Sequence, residues 1–151
     1  MKQFLAVVLC LLLPVTALAG SNNGYKVVYD GGSLPSVKAG TSLHLNIGEK
    51  DIRIGDTVIP ASAVTEISYG QDVHRRVGAA IGIGLFTFGV GALKALTKSK
   101  KHFVGLTWAD GDKKGGFAMQ CDKNDYRGVI AGLEGVTGKK AVNSDAMTVK
   151  N

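Results

Sequence analysis

The chain has 151 residues, a formal net charge of +6 and two cysteines, and a chain of this length predicts one domain. Aromatic residues do not alternate with the basic ones, which argues against a nucleic-acid partner, whereas an anionic membrane surface fits the positive charge better. For Lys139 and Lys140, improved solubility is an equally good explanation.

Residues 1–19 are predicted to be a secretory signal peptide. Lys2 supplies a short positive start, Phe4 to Leu13 is an apolar core, and Ala17-Leu18-Ala19 is a small-x-small cleavage motif. Cleavage would place the mature chain in the periplasm or cell envelope. Since Cys10 leaves with the peptide, the mature chain would keep only Cys121 and could form no internal disulfide.

A series of short strands is predicted in the first half of the mature chain. Apolar and polar residues alternate there, and turns rich in glycine separate the alternating runs. The predicted strands are Tyr25–Tyr29, Ser42–Ile47, a short strand with Ile52 and Ile54, Val58-Ile59 before Pro60, and Val64–Tyr69; the predicted turns are Gly31-Gly32-Ser33, Gly48-Glu49-Lys50 and Gly55-Asp56.

The stretch Val77–Leu93, VGAAIGIGLFTFGVGAL, has no charged residue and contains five glycines. Its 17 residues lie at the lower limit of what a helix needs to cross a hydrocarbon core of about 30 Å. Read as one helix, it carries stripes of small residues that allow close helix packing in lipid. In water each glycine costs about 1 kcal/mol relative to alanine, so an exposed helix would need a packing partner.

We therefore call residues 76–98 the glycine-rich insert and predict that it contacts a membrane or a partner helix. The alternative is a helix or helical hairpin that packs on its own domain. The predicted contact residues are Gly78, Gly82, Gly84, Phe86, Phe88 and Gly91, and the predicted membrane-interface charges are Arg75, Arg76, Lys94, Lys98, Lys100 and Lys101.

A strand hairpin and a helix are predicted after the insert. Strands at His102–Trp108 and Gly116–Cys121 flank a turn at Asp110-Gly111-Asp112. An amphipathic helix follows, with Asn124 as its N-cap and Gly138 as its C-cap. Its apolar stripe is Tyr126, Val129, Ile130, Leu133 and Val136. One domain is expected over residues 20–142, followed by a flexible tail at 143–151.

This order of elements resembles the pleckstrin-homology-like (PH/GRAM-like) superfold. The resemblance covers roughly Tyr25 to Lys140 and implies a mainly β fold with α: a curved antiparallel sheet or partly open barrel closed by a C-terminal helix, to which the insert is added. The residues that carry it are Leu43-His44-Leu45, Ile52-Arg53-Ile54, Ile59-Pro60 with Val64-Thr65-Glu66-Ile67, Val104 to Trp108 with Asp110-Gly111, and Tyr126 through Leu133.

The sequence offers little support for an enzyme. No cysteine or histidine pair has the spacing of a metal site, no serine lies in a G-x-S-x-G motif, and Gly82-Ile83-Gly84 does not continue as a nucleotide-binding loop. We expect no catalytic residue, cofactor, metal or nucleotide. His74 and His102 are interpreted as surface or membrane-interface residues, with surface the commoner case. Cys121 and Trp108 are interpreted as packing residues.

Two functions are consistent with these features. The first is a non-catalytic exported envelope module whose insert contacts membrane lipid, another copy or a partner protein. The second is a soluble extracytoplasmic ligand- or protein-binding domain with the insert packed on its own sheet. Within the first, we favour an intact domain over a single span that would place Tyr25–Arg76 and the residues from Lys94 onward on opposite sides of a membrane.

Overall fold

Strands dominate the computed structural model, which describes residues 24–82 and 101–147. The fold is mainly β with α, as predicted, and the predicted signal peptide lies outside the described residues. The strands are β1 (Tyr25–Gly32), β2 (Ser42–Ile47), β3 (Asp51–Ile54), β4 (Thr57–Pro60), β5 (Val64–Tyr69), β6 (His102–Asp110), β7 (Lys113–Cys121) and β8 (Val142–Asn143); the α-helices are α1 (Val73–Ile81) and α2 (Tyr126–Thr137), and short 3₁₀ helices span Ala61–Ala63 and Asp145–Met147.

The described strands form one sheet in the order β4-β3-β2-β1-β7-β6-β5-β8. Every pairing is antiparallel except that of β5 with β8. Strands from before and after the insert are therefore neighbours, since β1 pairs with β7 and β5 pairs with β6.

The turn predictions are confirmed at the tightest connections. Asp110 pairs with Lys113 across Gly111-Asp112, and Gly111 has a φ of 60° that glycine adopts without strain. The prediction that Gly31-Gly32 ends the first strand is wrong. Both glycines belong to β1, where the pairing with β7 shifts register between Tyr29 and Gly31. This bulge needs glycine, because φ is 132° at Gly31 and 139° at Gly32.

The main core lies between one face of the sheet and α2. Leu133 and Val129 are fully buried there, which confirms the predicted apolar side of the helix. Gly138 ends α2 in the left-handed conformation, as predicted. The predicted N-cap is wrong by one residue, because Asp125 occupies that position and its side chain forms no capping hydrogen bond. The main buried core residues are Val27, Tyr29, Leu45, Ile52, Ile54, Ile59, Val64, Ile67, Val104, Leu106, Phe117, Met119 and Cys121.

A second, smaller core lies on the opposite face of the sheet, under α1. Val73 and Val77 of α1 are fully buried and pack with Phe103 of β6 and Ala118 of β7. Both faces of β6 and β7 are thus covered, one by the main core and one by α1. This explains the long run of buried residues in both strands.

The C-terminal segment forms a short strand and a 3₁₀ helix where a flexible tail was predicted. Val142–Asn143 adds to the sheet beside β5, and Ser144 is buried with its hydroxyl donating to the carbonyl oxygen of Tyr69 at 2.8 Å. The main chain at Asn143 to Met147 is therefore part of the fold, and residues 148–151 lie outside the described residues.

The close packing of α1 depends on Gly105. A Cβ at this position would lie 2.6 Å from both Ser68 Oγ and Val73 Cγ1, and 2.7 Å from Val77 Cγ2. We predict that Gly105→Ala lowers the free energy of unfolding by about 1–3 kcal/mol, because the added methyl group overpacks the interface of α1 with β6. Urea unfolding of the mature chain measures this value.

Gly135→Ala in α2 is the matched control. No atom lies within 4 Å of the Cβ position there. Alanine should leave stability unchanged or raise it by up to about 1 kcal/mol. Equal stability of the Gly105→Ala variant and the native chain would show that α1 does not approach β6 this closely.

Candidate functional site

The candidate site is the part of the fold that holds the two ends of the insert. We call α1, Gln71 and Lys101 the insert root. Val73 and Val77 contact β6 near Gly105, while Ile81, at the other end of α1, lies 3.0 Å from the Cβ position of Gly116. Because Gly116 pairs with Thr107, α1 runs along β6 from its first residues toward its middle.

The chain returns to the sheet near the start of α1. The side-chain amide of Gln71 donates to the carbonyl oxygen of Lys101 at 2.7 Å. The described residues thus stop at Gly82, near the level of Thr107, and resume at Lys101. At about 3.3 Å per strand residue, the two levels are roughly 20 Å apart along β6.

This arrangement excludes the single-span topology. A single span would place β1–β5 and β6–β7 on opposite sides of a membrane, yet β5 pairs with β6 and β1 with β7. The residues before and after the insert belong to one sheet, so they would lie on the same side of a membrane.

Gly78 and Gly82, the first two predicted contact residues, lie in different environments. Gly78 is buried within the fold, and Gly82 is exposed at the C-cap of α1 with a φ of 71°. That left-handed residue ends the helix, so one continuous helix from Val77 to Leu93 is excluded. Predicted contact residues Gly84, Phe86, Phe88 and Gly91, and predicted interface residues Lys94, Lys98 and Lys100, lie outside the described residues.

The two arginines at the start of the insert, Arg75 and Arg76, differ in their surroundings. Arg75 is exposed on α1. Arg76 is half-buried and forms a two-point pair with Glu66 of β5, through Nε to Oε1 at 2.5 Å and Nη2 to Oε2 at 2.8 Å. The hydrogen bonds that Arg76 donates to the Glu66 carboxylate raise the pKa of Arg76. Arg76 thus ties α1 to the sheet, whereas Arg75 faces solvent.

His74 also ties α1 to the sheet. Its Nε2 atom contacts Oδ2 of Asp30 in β1, and its ring packs edge-on against Phe103 with centroids 4.8 Å apart. Only 9% of His74 is exposed, so its interpretation as a surface histidine is wrong. Sequence reasoning missed the pair because Asp30 and His74 are 44 residues apart and follow no spacing rule.

An aromatic group lies at the start of β6, beside Lys101. The ring of His102 packs against Tyr126 of α2 at a centroid distance of 4.7 Å, and Tyr69 packs edge-on against the same tyrosine at 6.3 Å. Burial raises the pKa of Tyr126 to about 12. The phenol is therefore neutral at physiological pH and joins α2 to the strand that follows the insert.

The remaining side chains with potential chemistry are structural. Cys121 is buried, as predicted, and burial raises the pKa of its thiol to about 12. Trp108 packs over Gly115 and against Phe117, in agreement with its interpretation as a packing residue. Within residues 24–82 and 101–147, no three His, Cys, Asp or Glu side chains come together in a group that could hold a metal ion.

None of the helices in the described part of the chain has the length and apolar character needed to cross a bilayer. A scan against protein-family models and searches of curated proteins and of solved structures found no match to this chain.

The contact between Asp30 and His74 can be tested by removing the carboxylate. We predict that Asp30→Ala lowers the free energy of unfolding by about 1–3 kcal/mol, since the buried imidazole loses a charged hydrogen-bond partner. Urea unfolding gives the value. Asp110→Ala, at an exposed end of β6, should change it by less than about 0.5 kcal/mol. Equal effects of the two substitutions would contradict a structural role for Asp30.

The raised pKa of Cys121 predicts slow modification of the native thiol. With a pKa of about 12, the reactive thiolate at pH 8 is on the order of a thousandfold rarer than for an ordinary cysteine. Labelling of the mature chain with a disulfide reagent should follow unfolding, and the chain in urea should react at once. Rapid labelling of the folded chain would show that Cys121 is accessible.

Proposed function

We propose that this protein is a non-catalytic exported module of the cell envelope that contacts a membrane or a partner helix through its glycine-rich insert. The observation that carries the proposal is the insert root. An uncharged, glycine-rich sequence begins within a helix fixed to the sheet and ends before Lys101, which Gln71 binds. The domain can therefore present this sequence to a partner without separating its strands.

The charge around the root favours a surface with anionic lipids. Arg75 is exposed, and Lys94, Lys98 and Lys100 follow the uncharged sequence. Each basic residue near such a surface contributes about 1 kcal/mol of attraction. Export, and a location in the periplasm or envelope, rest on the signal-peptide pattern of residues 1–19.

The pleckstrin-homology-like resemblance belongs to the same proposal. Support for it comes from two antiparallel meanders, β1–β4 and β5–β7, joined by the pairing of β1 with β7, and from the helix α2 packed over their core. Bulges bend strands, and the register shifts in β1 and β5 support a curved sheet. We propose that α1 and the insert are additions to this fold between β5 and β6.

Vesicle flotation of the mature chain, beginning at Gly20, tests membrane contact. Phosphatidylcholine vesicles should recover less protein than vesicles that also contain phosphatidylglycerol. Phe88→Asp should weaken binding about tenfold or more, because an aspartate at the centre of an apolar segment costs up to about 3 kcal/mol. Val58→Asp is the matched control, since Val58 is 56% exposed on β4, far from the insert in the sheet order. Equal vesicle binding by the two variants would contradict the proposal.

A second substitution separates lipid contact from helix contact. Gly84→Leu should leave membrane binding equal or stronger if the insert contacts lipid alone, because lipid tails accept leucine. If the insert packs against another helix, the larger side chain should abolish crosslinked oligomers in membranes while membrane attachment persists. An unchanged oligomer population would exclude close packing at Gly84.

The second candidate function is a soluble extracytoplasmic binding domain. It is favoured by the packing of Val77 on the domain's own sheet and by two open grooves beside α2. One groove is lined by Glu49, Lys50, Ala61, Ser62, Val136 and Thr137, and the other by Tyr69, Arg127, Ile130, Ala131, Glu134 and Ala141. Complete release of the mature protein by osmotic shock, with none in the membrane fraction, would favour this function.

A further inference from the structure

The C-terminal segment binds the residues that lead into α1. We call Val142–Met147 the C-terminal strap. The carboxylate Oδ1 of Asp145 accepts hydrogen bonds from the backbone N–H of Gln71 at 2.6 Å and of Asp72 at 3.1 Å. The backbone N–H and hydroxyl of Ser144 both donate to the carbonyl oxygen of Tyr69, at 2.7 and 2.8 Å. The strap therefore fixes the chain from the end of β5 to the start of α1.

This attachment also reaches the other end of the insert. Gln71 receives the strap at its backbone and holds the carbonyl oxygen of Lys101 with its side chain. Gly70 lies inside the junction, where a Cβ would be 2.6 Å from Ser144 Oγ. One small hydrogen-bonded group thus joins the strap to both sides of the insert root.

The helix α1 needs such external support. It has nine residues, and the side chain of its N-cap, Asp72, forms no capping hydrogen bond. Helices shorter than about 12 residues are marginal in water unless tertiary contacts hold them. The Asp145 carboxylate also lies at the positive end of the helix dipole, where negative charge is favourable.

The strap is attached mainly by hydrogen bonds and contributes little to the apolar core. It joins the sheet through the two residues of β8, and Asn143, Asp145 and Ala146 are exposed. Its detachment would expose little of the main core, to which β8 contributes no buried residue. The strap can therefore leave while strands β1–β7 stay folded.

We propose that the C-terminal strap is a conformational latch that holds α1 on the face of the sheet opposite the main core. With the strap docked, the insert root is fixed; with the strap detached, α1 leaves β6 and β7 more readily and the root is released. Coupling of this kind is reciprocal. A membrane or partner that draws α1 from the sheet must therefore loosen the strap. Control of the insert by the latch rests on the proposed function, whereas the latch itself does not.

Hydrogen exchange of the mature chain tests the latch. In Asp145→Ala, and in a chain that ends at Ala141, amides of α1 should exchange about tenfold faster or more, since bonds to a charged acceptor are lost. Amides of β3 should keep their native rates. Asp110→Ala is the matched control and should leave both sets unchanged. Unaltered α1 exchange in both strap variants, or equal acceleration of α1 and β3, overturns the latch.

Vesicle flotation of the same variants with phosphatidylcholine–phosphatidylglycerol vesicles separates the latch from the proposed function. Faster α1 exchange with at least about tenfold stronger vesicle binding, the factor for about 1.4 kcal/mol, supports control of the insert by the strap. Faster α1 exchange with unchanged binding upholds the latch and overturns that control. Faster α1 exchange with no vesicle binding by any chain upholds the latch and counts against membrane contact.

Discussion

The rest of the candidate site depends on the close approach of α1 to β6 and β7, on the face of the sheet opposite the main core. Small residues, Gly105, Gly116 and Ala118, lie beneath the helix beside Phe103, so Val73 and Val77 can be buried completely. Since a helix and a sheet exclude water best when small residues face large ones, this pattern supplies packing without strain. It also makes the interface intolerant of added atoms.

Two polar pairs give this apolar contact its orientation. His74 reaches Asp30 in β1, and Arg76 reaches Glu66 in β5, so α1 is joined to strands on both sides of the β6–β7 hairpin. Both pairs are partly buried, where removal of one partner costs more than the pair contributes. Their role is to fix the orientation of α1 on the sheet.

Sequence patterns predicted the elements whose causes are local. The alternation in Ser42–Ile47 and Val64–Tyr69 predicted the observed bounds of those strands. The apolar stripe and Gly138 predicted the end of α2. Contacts between distant residues could not be found this way. The contact of α1 with Gly105 and Gly116 is of this kind, because the helix and the two glycines are distant in sequence. The tail looked disordered because its partners, Tyr69 and Gln71, lie more than 70 residues earlier.

The same reasoning explains why α1 was misplaced by a hydrophobicity argument. The uncharged stretch begins at Val77, but the helix begins four residues earlier at Val73 and includes His74, Arg75 and Arg76. Charge normally marks the end of a buried segment, yet Arg76 pairs with Glu66 and His74 contacts Asp30. These contacts with carboxylates of the sheet allow the helix to begin before the uncharged stretch.

The pairing of Arg76 with Glu66 changes which basic residues would attract a membrane. Of the two arginines at the start of the insert, Arg76 is paired with Glu66 and Arg75 is exposed. The electrostatic attraction to anionic lipid would therefore fall mainly on Lys94, Lys98 and Lys100, after the apolar sequence. Because salt screens such exposed charges within about 10 Å, the apolar residues must supply the attraction that persists at high ionic strength. Arg76 is then a structural residue of α1, and Arg75 with the three lysines would supply the charge that attracts anionic lipid.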